Sequence, residues 1–216
     1  MTWLNKNLLW LIVGIIALYV AGAFAAPVFM VRGDKEVAGR IYRFYGQFCH
    51  QRVERSVFLF GKESIFTTYS VSELKVKSAI PDVNPDVRLS YATTYFGLGF
   101  NGNQEVGYKA AICIRDLALY LSLVISSSVY IAFSKKRELN FQMNWKFLLV
   151  LILPLIVDGG FQVVAESLKL SWVPQAYFDN NPKRVITGVL FGTGIALLIF
   201  PPLKKSLEEA GDTVSD

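Results

Sequence analysis

Asn7–Met30, NLLWLIVGIIALYVAGAFAAPVFM, contains no charged residue, and its length decides the class of fold. A helix rises about 1.5 Å per residue, so it needs about 20 apolar residues to cross roughly 30 Å of hydrocarbon. This stretch meets that requirement. A cleaved signal peptide would carry an apolar core of only about 7–15 residues, so a retained membrane anchor is expected. Ala17, Ala21 and Ala25 recur at every fourth position, a spacing that lets a second helix approach closely.

Three further runs follow the same pattern. Ala110–Phe133 ends against Lys135, Lys136 and Arg137. Trp145–Leu168 carries one buried-depth carboxylate, Asp158, beside Gly159 and Gly160, which are expected to loosen the helix locally. Val185–Leu203 closes on Pro201-Pro202 and is followed by Lys204 and Lys205. The composition agrees: 53% of the 216 residues are hydrophobic and 18% charged, against about 45–50% and about 25% in soluble domains. The expected fold class is an all-α membrane protein with about four transmembrane helices, at 7–30, 110–133, 145–168 and 185–203. A small, partly β extracytoplasmic lobe occupies 31–109, and a cytoplasmic tail occupies 204–216, acidic and frayed from Ser206 to Asp216.

Orientation follows from Lys and Arg beside the helix ends. With four crossings, Lys6, Lys135, Lys136, Arg137, Lys146, Lys204 and Lys205 fall on one side. Arg32, Lys169, Lys183 and Arg184 fall on the other. The first side is expected to be cytoplasmic, which puts both termini inside a plasma membrane and the long segment outside. Trp3, Trp145 and Trp172 stand near the expected interfaces, where amphipathic rings are favoured. The net charge of +5 comes from residues flanking apolar runs. No basic stripe for nucleic acid is expected, and membrane lipid is the expected partner.

Within the outer segment, residues 35–60 read as one or two amphipathic helices, with Val37, Ile41, Phe44, Tyr45 and Phe48 on the apolar side. Asn101-Gly102, between Tyr95–Phe100 and Val106–Tyr108, reads as a hairpin turn.

Polar residues gather at one expected depth. Cys113, Asp116 and Tyr120 share a face at the start of the second helix. Asp158, Gln162 and Glu166 form a stripe on the third. Arg184 begins the fourth, with Gly188 and Gly192 below it. A carboxylate in hydrocarbon costs several kcal/mol or more, so Asp158 needs a cation, a proton or water. Arg115 and Arg184 are its natural partners. A structural ion pair and a functional pocket both fit.

The two cysteines and the single histidine admit three readings. Cys49 and Cys113 can form a disulfide in an oxidising compartment. Cys49, His50, Cys113 and Asp116 can ligate a metal, with zinc the candidate ion for two thiolates, an imidazole and a carboxylate. All can also be free buried side chains. The sequence has no phosphate-binding loop, nucleophile elbow, His-Glu-x-x-His pair or dinucleotide fingerprint. One histidine rules out a multi-histidine hydrolase and paired-histidine haem ligation.

Cys49-His50-Gln51, Arg55-Ser56, Gly61, Gly107-Tyr108-Lys109, Cys113-Ile114-Arg115-Asp116, Tyr120, Pro154, Asp158-Gly159, Gln162, Glu166-Ser167, Arg184, Thr187-Gly188 and Gly192 together form a recognisable set. With them the chain resembles, from about residue 45 to about residue 195, uncharacterised small bacterial and archaeal membrane proteins with a Cys-His-Gln signature. In many of these the second motif is similar to Cys-x-Arg-Cys. The resemblance implies a metal or redox site built from Cys-His and Cys-x-x-Cys. Asp116 stands at the last position here, which keeps a metal ligand and removes a Cys-x-x-Cys dithiol. The resemblance implies no activity.

Three functions are therefore carried forward. The first is a membrane protein with a metal- or redox-linked polar site at the outer face. The second is an accessory subunit of a larger membrane complex, or a homo-oligomer. The third is a small transporter component.

Overall fold

The uncharged runs become long helices because a bilayer leaves a backbone no partner but itself. In the computed structural model, which describes residues 3–70, 73–74, 100–134, 145–178 and 180–212, these are α1 (Trp3–Val31), α3 (Ile114–Ser134), α4 (Trp145–Ser167) and α6 (Asn181–Asp212). Among the described residues these four are long and apolar enough to cross a membrane. Among the described residues between α1 and α3 lie α2 (Lys35–Tyr45), a 3-10 turn (Val53–Arg55) and four strands: β1 (Ser56–Leu59), β2 (Phe66–Thr67), β3 (Gly102–Asn103) and β4 (Gly107–Cys113). A short α5 (Gln175–Phe178) precedes α6.

The chain divides into two compact units. The first comprises residues 1–20, 118–160 and 185–216. Its core joins Leu9 and Val13 of α1, Leu123, Tyr130 and Ile131 of α3, and Ala196 and Phe200 of α6. Gly192 permits this contact, because a Cβ there would stand 2.2 Å from the Leu119 carbonyl oxygen. Ser126 donates to Thr193 at 3.2 Å. Lys204 donates to the Ser134 carbonyl at the C-terminus of α3 at 3.0 Å, where unsatisfied carbonyls attract a cation. Large apolar side chains on α4, including Val150, Ile156 and Val157, are exposed, as lipid-facing residues are.

The second unit comprises residues 21–117 and 161–184. Its antiparallel sheet has the order β2-β1-β4-β3. β1 and β4 pair Ser56 with Cys113 and Phe58 with Lys109, with an irregularity between them. Val53, Phe58, Tyr69, Leu74 and Val106 fill the core of the lobe. Asp34 caps α2 by accepting from the Val37 amide at 3.1 Å.

Several expectations are corrected. Residues 110–113 belong to β4, and α3 begins only at Ile114. A short buried apolar run fits strand or helix equally, and pairing with β1 decides for strand. The hairpin turn is Gln104–Val106 instead of Asn101-Gly102, since Gly102 and Asn103 are β3. The Asn103 side chain accepts from the Glu105 and Val106 amides at 3.0 Å each, and Gly107 follows at φ +85, as three-residue hairpin loops require. The first arm of the expected hairpin, 95–99, lies outside the described residues.

Helix α2 stops at Tyr45, so among residues 46–60 the only helical piece is the 3-10 turn Val53–Arg55. Its buried face is Ala38, Tyr42 and Tyr45, whereas Phe44 and Phe48 are exposed. The Tyr42 hydroxyl turns the helix inward by donating to the Lys109 carbonyl at 2.6 Å. Gly159 and Gly160 do not interrupt α4. The tail is helical to Asp212, through Pro201 and Pro202. Lys204–Glu208 and Lys205–Glu209 pairs at 3.2 and 3.8 Å support that extension.

Candidate functional site

The loop leaving α2 and the junction between β4 and α3 bring the two cysteines together. The Tyr45 carbonyl accepts from the Cys49 amide at 2.9 Å, which fixes the loop. Cys113 is the last residue of β4, and its sulfur accepts from the Asp116 amide at 3.5 Å, in the position of a helix cap. The Cys113 amide in turn donates to the Cys49 sulfur at 3.3 Å. The ligand atoms of Cys49, Cys113 and Asp116 all lie within 4.8 Å of one another. Both cysteines are free. The hydrogen bond to Cys49 pushes the Cys113 thiol well above its ordinary range, and burial and the Asp116 charge push the same way.

These three residues line a cavity of about 190 Å³. Phe48, His50 and Gln51 border it, and Arg52, Arg55, Arg115, Gln162 and Arg184 complete the wall. All belong to the second unit. His50 is exposed and its ring nitrogens are outside the three-residue ligand group. Of the four expected metal ligands, the structure therefore groups three.

The arginines are held by carboxylates from different elements. Glu166, near the end of α4, accepts from Arg52 at 2.5 Å and from Arg55. Glu54 pairs with the same two residues, at 3.1 Å to Arg52 and 3.6 Å to Arg55. The Glu54 backbone carbonyl accepts from the Asn181 side-chain Nδ2 at 3.1 Å. Breaking a buried pair costs about 3–5 kcal/mol because it strands a charge, so this network fixes the loop after Cys49 against α4.

Arg184 is only 1% exposed. It donates to the Asn181 side chain at 3.2 Å and to the Phe178 carbonyl. The Gln162 amide satisfies its neighbours when its oxygen faces the cations, accepting from Arg55 at 2.6 Å and Arg184 at 2.9 Å. The Arg115 guanidinium stands 3.4 Å from the other atom of that amide.

Lys109, four residues before Cys113 on β4, is fully buried. Its ammonium donates to the Gln51 carbonyl at 3.0 Å and sits 5.8 Å from the Tyr42 ring centroid. Gln51, at φ 48, reaches back to donate to the Tyr42 carbonyl at 2.7 Å. Burial pulls the amine down to about 7, against the opposing charges of Cys49 and Glu54. Burial also pushes the Tyr42 phenol upward, and Tyr108 adds to that.

The expected polar residues separate. Arg115, Gln162 and Arg184 line the cavity, and Glu166 holds its arginines. Asp158 belongs to the first unit and is not among the lining residues. Of the stripe Asp158-Gln162-Glu166, Gln162 is the residue that lines the cavity. Arg52, Glu54 and Lys109 were not expected at the site. Their signal in the sequence is the charged triplet Arg52-Val53-Glu54-Arg55 directly after Cys49-His50-Gln51, and a lysine inside the apolar strand Gly107–Cys113.

Comparison with known proteins bears on this region. Residues 105–198 match the family model described as "Predicted membrane protein (DUF2085)". That segment is similar to an uncharacterised membrane-protein family. In this chain the matched segment contains Lys109, Cys113, Arg115, Asp116, Gln162, Glu166 and Arg184, whereas Cys49-His50-Gln51 precedes it. The chain is also 21% identical over 203 residues to "Uncharacterized protein MJ1492" of Methanocaldococcus jannaschii, covering 92% of this chain and 93% of the relative. No solved structure matches.

Proposed function

We propose that this is a multi-pass plasma-membrane protein that holds a zinc-type ion between Cys49, Cys113 and Asp116. The observation that carries the reading is the convergence of these three ligand atoms within 4.8 Å. Tetrahedral zinc with Zn–S near 2.3 Å sets ligands about 3.8 Å apart, so small side-chain adjustments complete the set. A metal also reverses the local electrostatics, because a coordinating thiol gives up its proton. Three protein ligands leave a fourth position, as in catalytic zinc sites. His50, on the same cavity, is the residue available for that position when no external ligand occupies it.

The distribution of Lys and Arg supports cytoplasmic termini and a cavity on the outer side. Lipid then surrounds the exposed apolar residues of α4. Metal analysis of protein purified in detergent without chelator tests the metal reading. One equivalent is expected in the wild type and loss in Cys49→Ser and Cys113→Ser. An equimolar metal that persists in both variants would overturn it.

A second reading rests on the approach of the Cys49 and Cys113 sulfurs, which lie within 4.8 Å of each other, both unbridged. The pair is then a reversible dithiol: a Cys49–Cys113 S–S bond forms as an external disulfide's S–S bond breaks, that disulfide taking the two electrons and two protons and leaving as two thiols. A thiol titration of the protein as isolated separates the two. Metal-free protein with no titratable thiols favours the dithiol, and metal-bound protein with both thiols intact after chelation favours the ion.

A further inference from the structure

Four guanidinium groups line the same cavity, and they come from separate pieces of chain. Arg52 precedes the 3-10 turn, Arg55 ends it, Arg115 lies in the first turn of α3, and Arg184 lies in the first turn of α6. Asp116 is the only carboxylate among the lining residues. Glu54 and Glu166 engage Arg52 and Arg55 without lining the cavity. Four arginines against Asp116, Glu54 and Glu166 leave one positive charge in excess among these residues, before Lys109 is counted.

Convergence of like charges is costly in a partly dehydrated site, and here it is also rigid. Gln162 pins Arg55 and Arg184 through one oxygen. Arg184, almost completely buried, is pinned again by Asn181 and Phe178. Prepaid ordering of this kind lowers the entropic cost of binding a ligand. Guanidinium donors arriving from several directions suit an anion whose oxygens are arranged in three dimensions. A carboxylate offers two oxygens in one plane, against three or more arranged tetrahedrally on a phosphate group.

We infer that the cavity walled by Arg55, Arg115, Gln162 and Arg184 is a binding site for a phosphate-type oxyanion. The group is carried either by a lipid headgroup or by a free phosphate species. Arg184 and Gln162 form the fixed part of the wall, and Arg115, only partly buried, is more exposed than Arg184. The anion site shares its cavity with the proposed ion but none of its ligands. It is therefore tested on chelator-treated protein, where failure of the metal reading has no effect.

The experiment has two arms. Chelator-treated full-length protein in an uncharged detergent is titrated calorimetrically with inorganic phosphate. The same protein in phosphatidylcholine nanodiscs is compared with and without phosphatidic acid, reading the thermal midpoint and co-purifying lipid. Saturable phosphate binding identifies a free phosphate species. Stabilisation and retention of phosphatidic acid alone identify a headgroup. In either case Arg115→Gln is expected to weaken the effect about tenfold or more, the loss of one charge-assisted contact, with the gel-filtration profile unchanged. Arg184→Lys, which keeps the charge and loses the fork, is the second variant should Arg115→Gln misfold, and the same weakening is expected. Absence of binding in both arms, or binding unaffected by the folded variant, overturns the inference.

Discussion

Lys109 makes the stability of this protein depend on pH in a direction opposite to that expected for a salt-bridged lysine. The amine is fully buried and its pKa falls from 10.5 to about 7. Between those values the denatured chain holds a proton that the folded chain has lost. Stability therefore rises with pH across this window, by up to about 1.4 kcal/mol per unit. It falls as pH descends towards 7 and levels off below that. At pH 7 the folded amine is half protonated, so the gain from pH 7 to 8.5 is about 1–2 kcal/mol. The range stops at 8.5 because Cys113 acts in the other direction. Its raised pKa means that the denatured thiol ionises first, so stability declines as pH climbs past about 9. Equilibrium denaturation of chelator-treated, metal-free protein in detergent at pH 7 and 8.5 measures the slope, since a bound metal would deprotonate Cys113. Lys109→Met leaves the Gln51 carbonyl without its donor, costing about 1–3 kcal/mol at pH 7, and flattens the slope, so its deficit against wild type is larger at pH 8.5. A wild type less stable at pH 8.5, or a variant that keeps the full slope, would refute the reasoning.

Glu166→Gln removes the carboxylate shared by Arg52 and Arg55 and is expected to destabilise the protein by about 3–5 kcal/mol. Glu105→Gln, which breaks the exposed Lys62–Glu105 pair, should cost about 0–1 kcal/mol. Equal shifts in the denaturation midpoint would contradict the buried network. Gly192→Ala forces a methyl group against the Leu119 carbonyl, so its midpoint should fall. Gly14→Ala, with nothing within 4 Å of the added carbon, should be neutral or gain up to about 1 kcal/mol from helix propensity. A harmless Gly192→Ala would show that α3 and α6 do not meet there.

The four long helices were legible because an uncharged stretch of bilayer length has few alternative folds. Ala110–Ile112 was not, since three apolar residues carry no period and their strand partner, β1, lies about 50 residues earlier. The inward face of α2 was misread for a related reason. Apolarity favoured Phe44, but Tyr42 is drawn inward by a carbonyl on β4. Cys113, Asp116, Arg115, Gln162 and Arg184 were legible as ionisable or polar residues beside apolar runs. Arg52 and Glu54 were not, because a charged triplet in a loop ordinarily faces water. Their burial depends on Glu166, 111–114 residues away from the arginines it holds. Asp158 shows the reverse: its helical spacing to Gln162 was real, but shared spacing on one helix did not bring it to the cavity wall.

The convergence of Cys49 and Cys113 is the point on which the ion, the dithiol and the cavity all depend. Mild oxidation of the metal-free, reduced protein with diamide, followed by intact mass and peptide mapping, tests it directly. Sulfurs already within 4.8 Å need to close to about 2 Å. An intramolecular Cys49–Cys113 bridge is expected, with loss of two hydrogens, no dimer, and no reaction in Cys49→Ser. Two thiols that remain separately alkylatable, or that form only bridges between chains, would contradict the account.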